Sequence, residues 1–107
     1  MDEKFKLTLL YDFYGELLTT HQRSICEQSF FEDLSLSEIA SAEGTSRQAV
    51  HDIIKRSTAS LNDYESKLHL VERFLSIKSE VEKINKLAVE SGDTDISQLA
   101  VHILEEL

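Results

Sequence analysis

The sequence predicts an all-α protein, a helical bundle holding a helix-turn-helix and followed by a long C-terminal helix and a short terminal one. Three observations predict it. The 107 residues contain no proline and only three glycines, Gly15, Gly44 and Gly92, so almost nothing interrupts the runs of good helix formers. Apolar residues recur at steps of three and four, the period of a helix face. Serine, threonine and aspartate stand just ahead of the apolar runs, where helix N-caps belong.

With 41% apolar and 29% charged residues, the composition is that of an ordinary folded domain rather than a disordered chain. The one cysteine, Cys26, has no partner for an internal disulfide and sits in an apolar repeat, which makes it a buried core thiol. No apolar run reaches the ~20 residues of a membrane span, and Met1-Asp2-Glu3-Lys4 is too acidic for a signal peptide, so a cytoplasmic location is expected.

The elements follow in order. A first helix is expected from about Asp2 to Leu18, with Phe5, Leu9, Tyr11, Phe13, Leu17 and Leu18 giving a wide apolar stripe. Gly15 inside it points to a close packing contact. A second helix runs from Thr20 to about Phe31 with Ile25, Cys26 and Phe30 inward. Ser35-Leu36-Ser37-Glu38 fits a capping box, opening a short helix that stops at Gly44. Ser46 caps the next helix, from Arg47 to about Leu61. A long helix is expected from about Asp63 to Glu90. Lys78 and Asn85 spoil a strict heptad there, which favours packing into a bundle or onto a second copy over a long coiled coil. Gly92 closes it, and a last helix presents Ile96, Leu99, Ile103 and Leu107 on one face. The expected division is a helical domain over residues 1–62, with the helix-turn-helix at 36–56, and an extension over 63–107 for packing or dimerisation.

The stretch Leu36–Lys55 carries the spacing of a helix-turn-helix. Ile39, Val50 and Ile53 supply its buried contacts, Ala40 is small where the helices cross, and Gly44 sits in the turn. Ser46 caps the second helix, whose first amides are then free to meet phosphate. The face left outward holds Arg47, Gln48, His51, Lys55 and Arg56. Arg47 suits guanine and Gln48 adenine in a major groove, while Lys55 and Arg56 suit phosphates. The plainer reading of each is a solvated side chain, paired with Asp52 or a nearby glutamate.

Several runs together are distinctive: Tyr11-Asp12-Phe13-Tyr14, Gln22-Arg23, Asp33-Leu34-Ser35-Leu36-Ser37-Glu38-Ile39-Ala40, Ser46-Arg47-Gln48-Ala49-Val50 and Ile54-Lys55-Arg56. Over about residues 5–75 the chain resembles the YlxM-like family of small bacterial proteins, itself similar to region 4 of sigma factors, which reads promoter DNA. The resemblance implies a DNA-binding regulator, and a part in the signal recognition particle pathway, whose genes neighbour those of the family. Two positions depart from the sigma-like pattern: Glu43 stands where an apolar residue usually precedes the turn glycine, and Thr45 where valine or isoleucine usually follows.

Charge bears on the partner. The net charge is −9. Residues 1–45 hold nine acids and three bases, residues 46–56 hold one acid and three bases, and residues 57–107 hold ten acids and five bases. Only the presumed reading helix is basic. Two partners therefore remain open: double-stranded DNA at that helix, or a basic protein or ribonucleoprotein such as signal recognition particle components at the acidic surface. The surplus of apolar residues between Phe74 and Leu87 points to a homodimer. His21, His51, His69 and His102 are scattered, so no metal site or cofactor is expected, and no catalytic constellation marks an enzyme.

Overall fold

Caps and turns placed by the sequence divide the described residues into six α-helices. The structure, a computed structural model, describes residues 2–107. The helices are α1 (Glu3–Tyr14), α2 (Thr20–Phe30), α3 (Leu36–Glu43), α4 (Arg47–Leu68), α5 (Leu70–Ser91) and α6 (Thr94–Glu106), with no strand among the described residues. The chain forms two compact units, one ending at His69 and the other spanning Leu70–Leu107. Among the described residues no helix is long and apolar enough to cross a membrane.

In the first unit, α1 starts where Asp2 accepts from the Lys4 amide. It ends at Tyr14 rather than Leu18, giving way to a 3-10 turn at Gly15–Leu17. Gly15 marks a close approach. A Cβ on Gly15 would lie 3.0 Å from the Tyr11 ring, which uses that space and meets Phe30 and Phe31 edge-on at 6.3 and 5.3 Å. A capping box between Thr19 and Gln22 then starts α2. The core gathers Leu10 and Tyr14 of α1, Ile25 and Cys26 of α2, Ile39 of α3, and Val50 and Leu61 of α4. Cys26 is fully buried, and that burial pushes its thiol pKa up.

The sequence reading ends the fourth helix near Leu61, but α4 runs on to Leu68. The polar pair Asn62-Asp63 does not break it, because both are satisfied on the helix surface. Asn62 donates to the Thr58 carbonyl at 3.0 Å, and Asp63 pairs with Lys67 at 3.0 Å. Tertiary contacts hold the extra turns: Tyr14 Oη donates to Glu65 Oε1 at 2.6 Å, and the Tyr14 and Tyr64 rings lie 6.0 Å apart. The helix stops at His69, which adopts a left-handed conformation at φ 57°. The long helix expected from Asp63 therefore begins at Leu70.

The second unit is an antiparallel hairpin. Val81 and Ala88 of α5 and Ala100 of α6 are buried, the alanines allowing close approach. Ser97 Oγ donates to Asn85 Oδ1 at 2.8 Å, so the asparagine that spoils the heptad serves the pairing of the two helices. Asp93 caps α6 by accepting from the Ile96 amide at 3.1 Å.

Candidate nucleic-acid interface

Reciprocal bonds fix the start of α3. Ser35 Oγ accepts from the Glu38 amide at 3.1 Å, and Glu38 Oε1 accepts from the Ser35 amide at 3.0 Å. The Ser35 amide holds the Glu38 carboxyl below the usual carboxylate range, so this box works above that range and weakens as pH falls through it. At the other end Gly44 stands at φ 67°, ψ 36°, and the Gly44 and Thr45 amides both donate to the Ala40 carbonyl. Nothing lies within 4 Å of a Cβ built on Gly44. Backbone conformation, not space, is what asks for glycine there.

The turn delivers the chain to Ser46, whose Oγ accepts from the Ala49 amide at 3.1 Å and caps α4. Behind it Ile39, Ala40 and Val50 are buried in one cluster with Ile25 of α2, and Ile53 packs half-buried against them. Glu43 has a use that the helix-turn-helix pattern alone does not reveal. Its Oε1 accepts from Gln28 Nε2 at 2.8 Å, tying the end of α3 to α2 by a polar contact where an apolar one is usual.

At about 100° per residue, Gln48, His51, Lys55 and Arg56 fall on the half of α4 opposite Val50, Ile53, Ser57 and Leu61, while Arg47 lies on its flank in the first turn. All five are exposed, as is Ser46. Asp52 lies among them and was not counted with the site residues. Gln48 Nε2 donates to Asp52 Oδ1 at 3.0 Å, His51 Nδ1 lies 3.6 Å from the same oxygen, and Arg56 Nε donates to the Asp52 carbonyl at 3.4 Å. The spacing of four between Gln48 and Asp52 is the signal that could have found it. Among the described residues neither Arg47 nor Lys55 has an ion-pair partner, so Asp52 engages Gln48 and His51 rather than Arg47. Asp52, Lys55, Arg56 and Ala59 line a shallow groove on this face. Among the described residues no group of three or more His, Cys, Asp or Glu side chains could hold a metal ion. The arrangement offers a capped helix N-terminus, two unpaired cations and an amide held by a carboxylate.

The profile of a family of helix-turn-helix proteins described as YlxM / p13 like matches residues 1–101. Relatives named UPF0122 protein align along most of their length. That of Clostridium kluyveri is 41% identical over 107 residues, covering 100% of this chain and 93% of the relative. That of Desulforamulus reducens is 50% identical over 95 residues, covering 87% and 81%. That of Bacillus pumilus is 37% identical over 107 residues, covering 100% and 97%.

Proposed function

The chain belongs to the YlxM / p13-like family of helix-turn-helix proteins, and on that premise we propose that it is a DNA-binding regulatory protein. The first turns of α4 enter the major groove of double-stranded DNA. One observation supports this reading above the others: behind the left-handed turn at Gly44, a Ser46-capped helix presents Arg47, Gln48 and Lys55 on one exposed face. Arg47 forks onto guanine and Gln48 onto adenine, while Lys55, Arg56 and the first amides of α4 take phosphates. His51 lies between them on the same face. The protein acts without catalysis, in the cytoplasm, as a homodimer whose two reading helices add their affinities. Its regulatory role lies in the signal recognition particle pathway, following the family resemblance.

A second reading has one observation in its favour, the net charge of −9. An acidic surface speeds association with a basic partner, such as a component of the signal recognition particle, and repels DNA. Screening over about 8 Å at physiological salt leaves a locally basic helix effective only at short range.

Fluorescence anisotropy separates the two. The protein is expected to bind duplexes at ~50 mM salt, and to weaken with a log–log salt slope of about −3 per protomer, for the three bases of residues 46–56. Absence of binding by the folded protein at ~50 mM salt would overturn the DNA reading and leave the protein partner.

A further inference from the structure

The hairpin of α5 and α6 leaves an unusual amount of apolar surface in water. Ile77, Ile84 and Leu87 of α5 are 49%, 48% and 65% exposed, and Ile96, Leu99 and Ile103 of α6 are 45%, 65% and 43% exposed. The apolar surplus expected between Phe74 and Leu87 is thus divided. Val81 lies inside the hairpin, three others face outward, and α6 contributes as much again.

Helical geometry puts the two stripes together. On α5 the line towards α6 is marked by Val81, Asn85 and Ala88, and Ile77, Ile84 and Leu87 all lie to one rotational side of it at about 100° per residue. On α6 the corresponding line runs through Ser97, Ala100 and Leu104, and Ile96, Leu99 and Ile103 lie to the same rotational side. Because the helices are antiparallel, equal rotations bring both stripes onto one face of the hairpin. Val89, 64% exposed, falls on the opposite face.

We propose that this composite face is a self-association surface, occupied by the same face of a second copy with α6 lying against the partner's α5. The proposal deepens the homodimer named above, and it does not depend on DNA binding. Area and charge select the occupant. Six half-exposed aliphatic side chains present on the order of 500 Å², near the top of the range for a soluble monomer's largest patch. A polar rim brings that towards the ~800 Å² per partner of a standard interface. The hairpin's four bases, Arg73, Lys78, Lys83 and Lys86, all lie on α5, where four acids balance them. Helix α6 carries Asp95, Glu105 and Glu106 and no lysine or arginine. Packing α6 on α6 would align like charges, whereas α6 on the partner's α5 sets the acidic helix beside Arg73, the base that shares the rotational side of Ile77 and Ile84.

Light scattering without DNA, at tens of micromolar, is the test, with far-UV circular dichroism as the check on folding. Wild type and Val89→Glu are expected at twice the 12.2 kDa chain mass, and Leu99→Glu at the chain mass with unchanged helicity. Leu99 and Val89 are equally exposed, so the pair isolates the face from the mere addition of charge. A monomeric wild type, a dissociated Val89→Glu or a dimeric Leu99→Glu each overturns the proposal. Arg73→Glu is expected to weaken the dimer several-fold at low salt and far less at high salt. An unchanged dissociation constant overturns the α6-on-α5 arrangement. A monomeric wild type would remove the dimer from the DNA reading but leave the contact of α4 with DNA, which these measurements without nucleic acid do not probe.

Discussion

Val50→Asp is expected to abolish cooperative thermal melting of the first unit. Val50 is 0% exposed and is enclosed by Ile25, Ile39 and Ala40. A carboxylate there has no cation or donor to meet, and burying it unpaired costs several kcal/mol, a large part of the ~5–15 kcal/mol that holds a domain folded. Protonating the carboxyl does not rescue it, because a neutral polar group without a hydrogen bond still costs about 1–3 kcal/mol. Val50→Ala serves as the comparison. It only removes methyl groups, so it lowers the melting temperature while leaving a folded domain. Circular dichroism melts of the two variants decide the matter. An unchanged transition in Val50→Asp would mean that the α3–α4 contact is not where the domain's stability lies.

The second large effect concerns binding. Arg47→Ala is expected to weaken affinity for a selected duplex by about 1–3 kcal/mol and to relax preference at one base pair, since a bidentate guanine contact is lost. Lys55→Ala is expected to act differently. It weakens binding to all sequences alike and lowers the salt slope by about one unit, because a phosphate contact carries no base information. The two side chains lie eight residues apart on α4, and among the described residues neither has an ion-pair partner, so neither substitution breaks an ion pair there. Anisotropy with selected and random duplexes at two salt concentrations reads both effects. Identical losses on every sequence for both variants would reduce α4 to an electrostatic patch.

Local chemistry explains what was legible in the sequence. Ser35 with Glu38, Gly44, and Ser46 act within four residues of themselves, so their spacing alone locates the ends of α3 and the start of α4. The all-α bundle with its helix-turn-helix followed from the same signals and from periodicity. What stayed hidden depends on partners distant in sequence. The run of α4 past Asn62 rests on Tyr14 reaching Glu65, 51 residues away. The break at His69 carries no glycine or proline to announce it. Glu43 looked like a defect of the turn because the pattern says nothing of Gln28 on α2, whose amide it accepts. The sequence reading takes Asp52 as an ion-pair partner for the arginines and lysine of this face, although its spacing from Gln48 is there to be read. The outward turn of the α6 stripe was equally beyond periodicity, which shows that a face is apolar but not which neighbour covers it.

The central claim is that the exposed face of α4 is what meets DNA. The direct measurement is titration of a short duplex into isotopically labelled protein at ~50 mM salt, where phosphate attraction is strong, following each backbone amide by NMR. The account predicts shifts concentrated at Ser46, Arg47, Gln48, His51, Lys55 and Arg56, with α6 unmoved. Shifts concentrated on the acidic helices, or none anywhere, would contradict it.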